Sequence, residues 1–188
     1  MVSKKYLKDY NVEKRTDEKG RVRSRAVYVG GYYSFAPPVS RADRLIILLL
    51  TILSDIAFIG VFMLRTQAAR IWFVMLPFVL IMIPLYLLSI AAFSLMFAKE
   101  VMIRYDAERI VGRLSPASLI SAALAAVSFA GFVISLLTSG GESFIDDVIF
   151  CILALVVAAG TGVVMMKFRR VKTVKTDKTI DLEEEREY

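Results

Sequence analysis

The sequence predicts an all-α integral membrane protein: four transmembrane helices in a bundle, N-in and C-in, with a small β-structured cytoplasmic N-terminal segment. Three observations carry that expectation. First, 57% of the 188 residues are hydrophobic and 22% are charged, and the two sets occupy separate blocks. Uninterrupted apolar blocks mark bilayer spans rather than a globular core. Second, each block approaches or exceeds the roughly 20 residues that carry a helix across about 30 Å of hydrocarbon. Third, only Arg65 and Arg70, of 24 Lys and Arg residues, fall on one side of a four-span layout.

The first block runs from Leu45 to Leu64 between Arg44 and Arg65, and the second from Ile71 to Ala98. The second is longer than a crossing requires and is expected to tilt, kink or emerge. The third covers about Ala117 to Thr138, and the fourth about Asp146 to Met166, starting between Phe144 and Val148. A helix satisfies its own backbone in lipid, so each block reads as helical. Start signals fall at these edges. Ser40 with Asp43, and Ser143 with Asp146, fit a capping pattern, and Ser115-Pro116 places a cap and a first-turn proline before the third span.

Eleven Lys and Arg residues precede the first span, four lie between the second and third, and seven follow the fourth. The positive-inside bias makes that side cytoplasmic, so the chain is expected in the cell membrane with both termini inside. The same layout accounts for the net charge of +6 without nucleic acid, for which no recognition module is visible. Anionic headgroups are the expected partner of the basic side.

The chain divides into residues 1–40, 41–168 and 169–188: a cytoplasmic segment, the transmembrane domain and a charged tail. The opening segment is polar, so no cleavable signal peptide is expected. Within it Arg21, Arg23 and Arg25 alternate with Val22, Ser24 and Ala26, a strand period, after a turn-like TDEKG stretch at 16–20. Gly30-Gly31, between Val27-Tyr28-Val29 and Tyr32-Tyr33-Ser34-Phe35, reads as a hairpin turn. Arg21, Arg23, Arg25, Tyr28, Tyr32 and Tyr33 are the expected headgroup contacts. Residues 99–113 read either as an extension of the second span or as a short hairpin around Asp106-Ala107-Glu108. The tail, basic and then acidic, reads as solvated and largely disordered.

Asp55, eleventh of the twenty residues in the first block, is the residue most expensive where it stands. An aspartate at mid-bilayer costs roughly 2.5–3.5 kcal/mol on insertion scales, so it is expected to turn from lipid and to be neutral. It is either structural glue, bonded to a neighbouring hydroxyl, or a proton or cation carrier. Ser121 and Ser128, on one face of the third span with Ser135, are its candidate partners. Ala154, Ala158 and Gly162 form a small-residue packing stripe on the fourth span, and Pro77 and Pro84 are hinge candidates on the second.

Chemistry is sparse. The chain has no histidine and a single cysteine, Cys151, so serine activation by histidine, disulfides and zinc clusters are excluded. No cofactor is expected. Glu142, Asp146 and Asp147 suit a helix N-terminus, with a weak calcium site as the rival reading. The sequence thus points to a non-catalytic accessory or interaction component of a membrane assembly, joined by a membrane-protein partner or by further copies of itself. The rival is a small oligomeric transporter coupled through Asp55.

Overall fold

The computed structural model describes residues 8–16, 22–139 and 144–176. Strands β1 (Tyr10–Thr16), β2 (Val22–Tyr28) and β3 (Tyr32–Ala36) lead into helix α1 (Arg41–Val61). A short 3₁₀ turn, Gln67–Arg70, precedes α2 (Trp72–Leu80) and α3 (Met82–Met96). Strand β4 (Met102–Ile103), helices α4 (Arg104–Ser139) and α5 (Phe144–Phe168), and β5 (Lys172–Thr176) complete the order. Four helical stretches are long and apolar enough to cross a membrane: Arg41–Val61, Trp72–Met96, Arg104–Leu137 and Ile145–Phe168. At most a third of the apolar window of each is buried inside the molecule, so most of that apolar surface faces outward.

Local chemistry sets the ends of α1. Ser40 Oγ accepts from the Asp43 backbone N–H at 3.1 Å and donates to Asp43 Oδ2 at 2.7 Å, the expected cap. At the other end Phe62, Met63 and Leu64 close the helix with bonds to carbonyls three residues back, which satisfies them in an apolar setting.

The second span is broken. α2 ends at Leu80 and α3 begins at Met82, because Pro84 lacks the N–H that would bond Leu80. Ile81 keeps helical angles and donates to Phe78 O at 3.1 Å, so the break is a dislocation rather than a loop. It lets the two halves part: α2 packs on α4, while α3 packs on both α1 and α4.

The third span starts earlier than the sequence reading placed it. Ser115-Pro116 does not begin a helix; α4 starts at Arg104 and carries Pro116 within it. The proline leaves the Gly112 carbonyl without its bond, and Gly112 is exposed with open space beside it, so the disruption is mild. Residues 104–113 therefore extend the third span, not the second, and Ala107 and Ile110 are their buried side chains.

The hairpin also lies elsewhere. β1 and β2 pair antiparallel from Tyr10↔Tyr28 to Thr16↔Val22, and residues 17–21 between them lie outside the described residues. Gly30-Gly31 joins two separate sheets, β2 on one side and β3 on the other. Close approach explains these glycines: a Cβ on Gly30 would stand 2.6 Å from the Tyr28 ring, and one on Gly31 would collide with Lys175.

β3 is the centre of a three-stranded sheet. β4 pairs with it at Tyr32↔Ile103 and Tyr33↔Met102, and β5 runs antiparallel on its other edge from Tyr32↔Thr176 to Ala36↔Lys172. The start of the tail, expected to be disordered, is thus a strand; residues 177–188 lie outside the described residues. The segment before α1, the loop after α3 and the chain after α5 all meet at one end of the bundle. Phe35 and Phe168, ring centroids 6.1 Å apart, seat the sheet on that end. Towards the other end Phe78 stacks on Phe58 at 5.2 Å and meets Phe150 at 5.7 Å, and Phe150 meets Phe132 at 4.7 Å. One aromatic cluster so joins α1, α2, α4 and α5.

Candidate functional site

α1 turns Ile47, Thr51, Ser54, Ala57, Phe58 and Val61 into the bundle. Asp55, one residue on from Ser54, is rotated by about 100° and lies half-buried beside α3. Its partner there is Ser89, whose Oγ lies 2.7 Å from Asp55 Oδ2 and 2.9 Å from Leu85 O. A hydroxyl has one proton and cannot serve both acceptors. The Ser89 hydroxyl is therefore shared between the Asp55 carboxyl and the carbonyl one turn back on its own helix. Asp55 Oδ1 has no partner among the described residues.

Ser121 and Ser128 are not brought to Asp55. α4 packs on α5, α3 and α2, across the bundle from α1. Ser128 donates to the Val74 carbonyl on α2 at 2.7 Å, and Ser121 is buried with no hydrogen-bond partner among the described residues. Ser89 was legible only as one polar residue within an apolar run. Its pairing with Asp55 depends on how α3 packs against α1 after the break at Ile81, which sequence periodicity does not report.

The packing stripe on α5 is shifted in the same way. Ala154 is fully buried and Ala158 partly so, but an added Cβ on Gly162 would meet nothing within 4 Å. The close approach is at Gly160, where a Cβ would stand 2.5 Å from Ser54 Oγ and 3.4 Å from Leu50 O on α1. Buried hydroxyls nearby are satisfied by their own helices: Ser54 donates to Leu50 O at 2.8 Å, and Thr161 to Val157 O at 2.6 Å. Pro77 lies within α2, and Pro84 is the proline that accompanies the break.

Of the acidic group at the start of α5, Asp147 is buried and accepts from Thr66 Oγ1 at 2.7 Å, tying the helix to the turn before α2. Asp146 is part-exposed, and Glu142 lies outside the described residues. No group of three or more acidic or cysteine side chains that could hold a metal ion occurs among the described residues.

At the sheet end, Tyr28 is engaged inside the protein: its hydroxyl donates to Gly31 O at 2.8 Å and accepts from the Arg104 N–H at 3.2 Å. Tyr32 packs edge-on to it at 5.6 Å, and Tyr33 is partly buried beside the core. Arg23 and Arg25 fall in β2 opposite Arg15 and Glu13, and Arg21 lies outside the described residues. Arg44 donates to the carbonyls of Val39 and Ala98, joining the start of α1 to the end of α3. Lys167 reaches Asp43 at 2.5 Å, joining α5 to α1. Between sheet and helices lies an open cleft of about 970 Å³, lined by Phe35, Met96 and Phe97 and by Arg41, Arg44 and Lys99.

The chain matches no protein-family model, no curated protein and no solved structure.

Proposed function

We propose that this chain is a non-catalytic interaction component of a membrane assembly, held in the cell membrane with both termini and the β3-centred sheet in the cytoplasm. The observation that carries this reading is the position of Asp55. The carboxyl lies part-buried at the α1–α3 contact, 2.7 Å from Ser89 Oγ, rather than among the fully buried side chains of the bundle. A coupling group, within one chain or between copies, would need a hydrated path beside it. A polar group at the lipid-facing boundary serves instead to join helices.

The orientation rests on charge and topology together. The three segments that share the sheet end are the ones that carry eleven, four and seven basic residues. Positive-inside bias assigns that end to the cytoplasm. The cleft lined by Arg41, Arg44 and Lys99 then lies at headgroup depth and suits anionic lipid.

Reconstituted vesicles test the reading. Wild-type protein should pass no proton or cation current above empty vesicles, and Asp55→Asn should match wild type in the cell. A proton flux in wild type that Asp55→Asn abolishes, in a variant that still folds, would replace this reading with a transporter coupled through Asp55.

A further inference from the structure

Asp55 and Ser89 do not stand alone in their groove. Tyr86, three residues before Ser89 on α3 and so on nearly the same face, is 66% exposed near the middle of the second span. Their Cα atoms are offset by about 4.5 Å along the axis. The Tyr86 hydroxyl has no hydrogen-bond partner among the described residues. An unpaired phenol and an unpaired Asp55 Oδ1 on an outward face at mid-membrane depth are both expensive in hydrocarbon, where no water relieves them. Tyrosines in membrane proteins favour the headgroup layer, so depth makes this one more telling.

We propose that a second copy of this chain seats on the α1–α3 groove, forming a two-fold dimer in which Tyr86 Oη of each subunit donates to Asp55 Oδ1 of the partner subunit. The patch itself selects this occupant. It carries one free donor and one free acceptor, and a two-fold axis places the same patch against itself, so each unmet group finds the other twice. Copies of one chain inserted with one topology also bring their patches to the same depth. With Oδ2 engaged by Ser89, Asp55 Oδ1 is available as the acceptor. Beside the polar pair, Ile59, one turn on from Asp55 in α1, and Ile83, one turn before Tyr86 in α3, are each more than half exposed and supply apolar surface. The proposal deepens the interaction reading by naming the partner at the groove.

The test uses the full chain in vesicles. In a Cys151→Ser background, Ile83→Cys should oxidise to a covalent dimer. Val127→Cys, on the exposed side of α4 across the bundle, should not. Energy transfer between labelled copies, followed as lipid dilutes the protein, gives the second measurement. Tyr86→Phe should raise the apparent dissociation constant about tenfold, the worth of two interhelical hydrogen bonds. Asp55→Leu, which removes the acceptor, should raise it by a similar factor. A monomer at every dilution, cross-linking through Val127→Cys in place of Ile83→Cys, or an unaltered Tyr86→Phe would overturn the dimer. Capture of a different protein on this face, with no self-association, would also reject the second copy while leaving the interaction role in place. Vesicle flux tests that role separately.

Discussion

Ser89 joins Asp55 across the α1–α3 interface at 2.7 Å, and the same hydroxyl stands 2.9 Å from the Leu85 carbonyl. The pair makes a carboxyl tolerable within an apolar helix. It also makes the effect of substitution depend on hydrogen-bonding capacity rather than on charge.

Asp55→Asn should therefore leave thermal stability in detergent close to wild type, because the amide keeps a hydrogen bond with Ser89. Asp55→Leu and Ser89→Ala should each weaken the bundle by about 0.6–2 kcal/mol, the range for an interhelical hydrogen bond in a membrane protein. The double variant should lose little more than the larger single loss. Additive losses in that cycle would show that the two residues do not share one bond.

The two glycines of α5 should separate cleanly. Gly160→Val drives a side chain into Ser54 and the Leu50 carbonyl and should cost about 1–3 kcal/mol, the usual range for overpacking. Gly162→Val meets open space at its Cβ and should be near neutral in the same denaturation assay. Equal losses would place the α1–α5 crossing elsewhere.

At the sheet end, Phe35→Ala should destabilise by about 3–5 kcal/mol as a buried aromatic is lost, and Phe168→Ala by a similar amount. Their rings meet edge-on, so the double-mutant cycle should return about 0.5–1.5 kcal/mol of coupling. Because β5 follows Phe168 directly in the chain, the Phe35 variant should also speed proteolysis of the tail after Val171. Unchanged cleavage kinetics would separate strand docking from this aromatic contact.

Topology is open to cysteine labelling in intact cells. Cysteines placed near Gly20 and Glu184 should be protected from a membrane-impermeant reagent, and one at Gly140 should react. Reaction at either terminus would overturn the positive-inside assignment.

Which parts of this protein the sequence determined by itself follows from what sequence patterns encode. Hydropathy is summed over neighbours along the chain, so the spans were readable within a few residues of Arg41–Val61, Trp72–Met96 and Ile145–Phe168. The Ser40–Asp43 cap was readable for the same reason, since all its atoms lie within four residues. The break at Ile81 was half legible: Pro84 marked the freed carbonyl, but not that α3 would pack along α1 as well as α4. Tertiary structure alone decided the rest. Ser89 rather than Ser121 or Ser128 reaches Asp55, Gly160 rather than Gly162 sits at the crossing, and β5 pairs with β3. Each depends on the tilt and rotation of helices about their own axes. Residues far apart in the chain set these together, through side-chain packing that no single segment's periodicity contains.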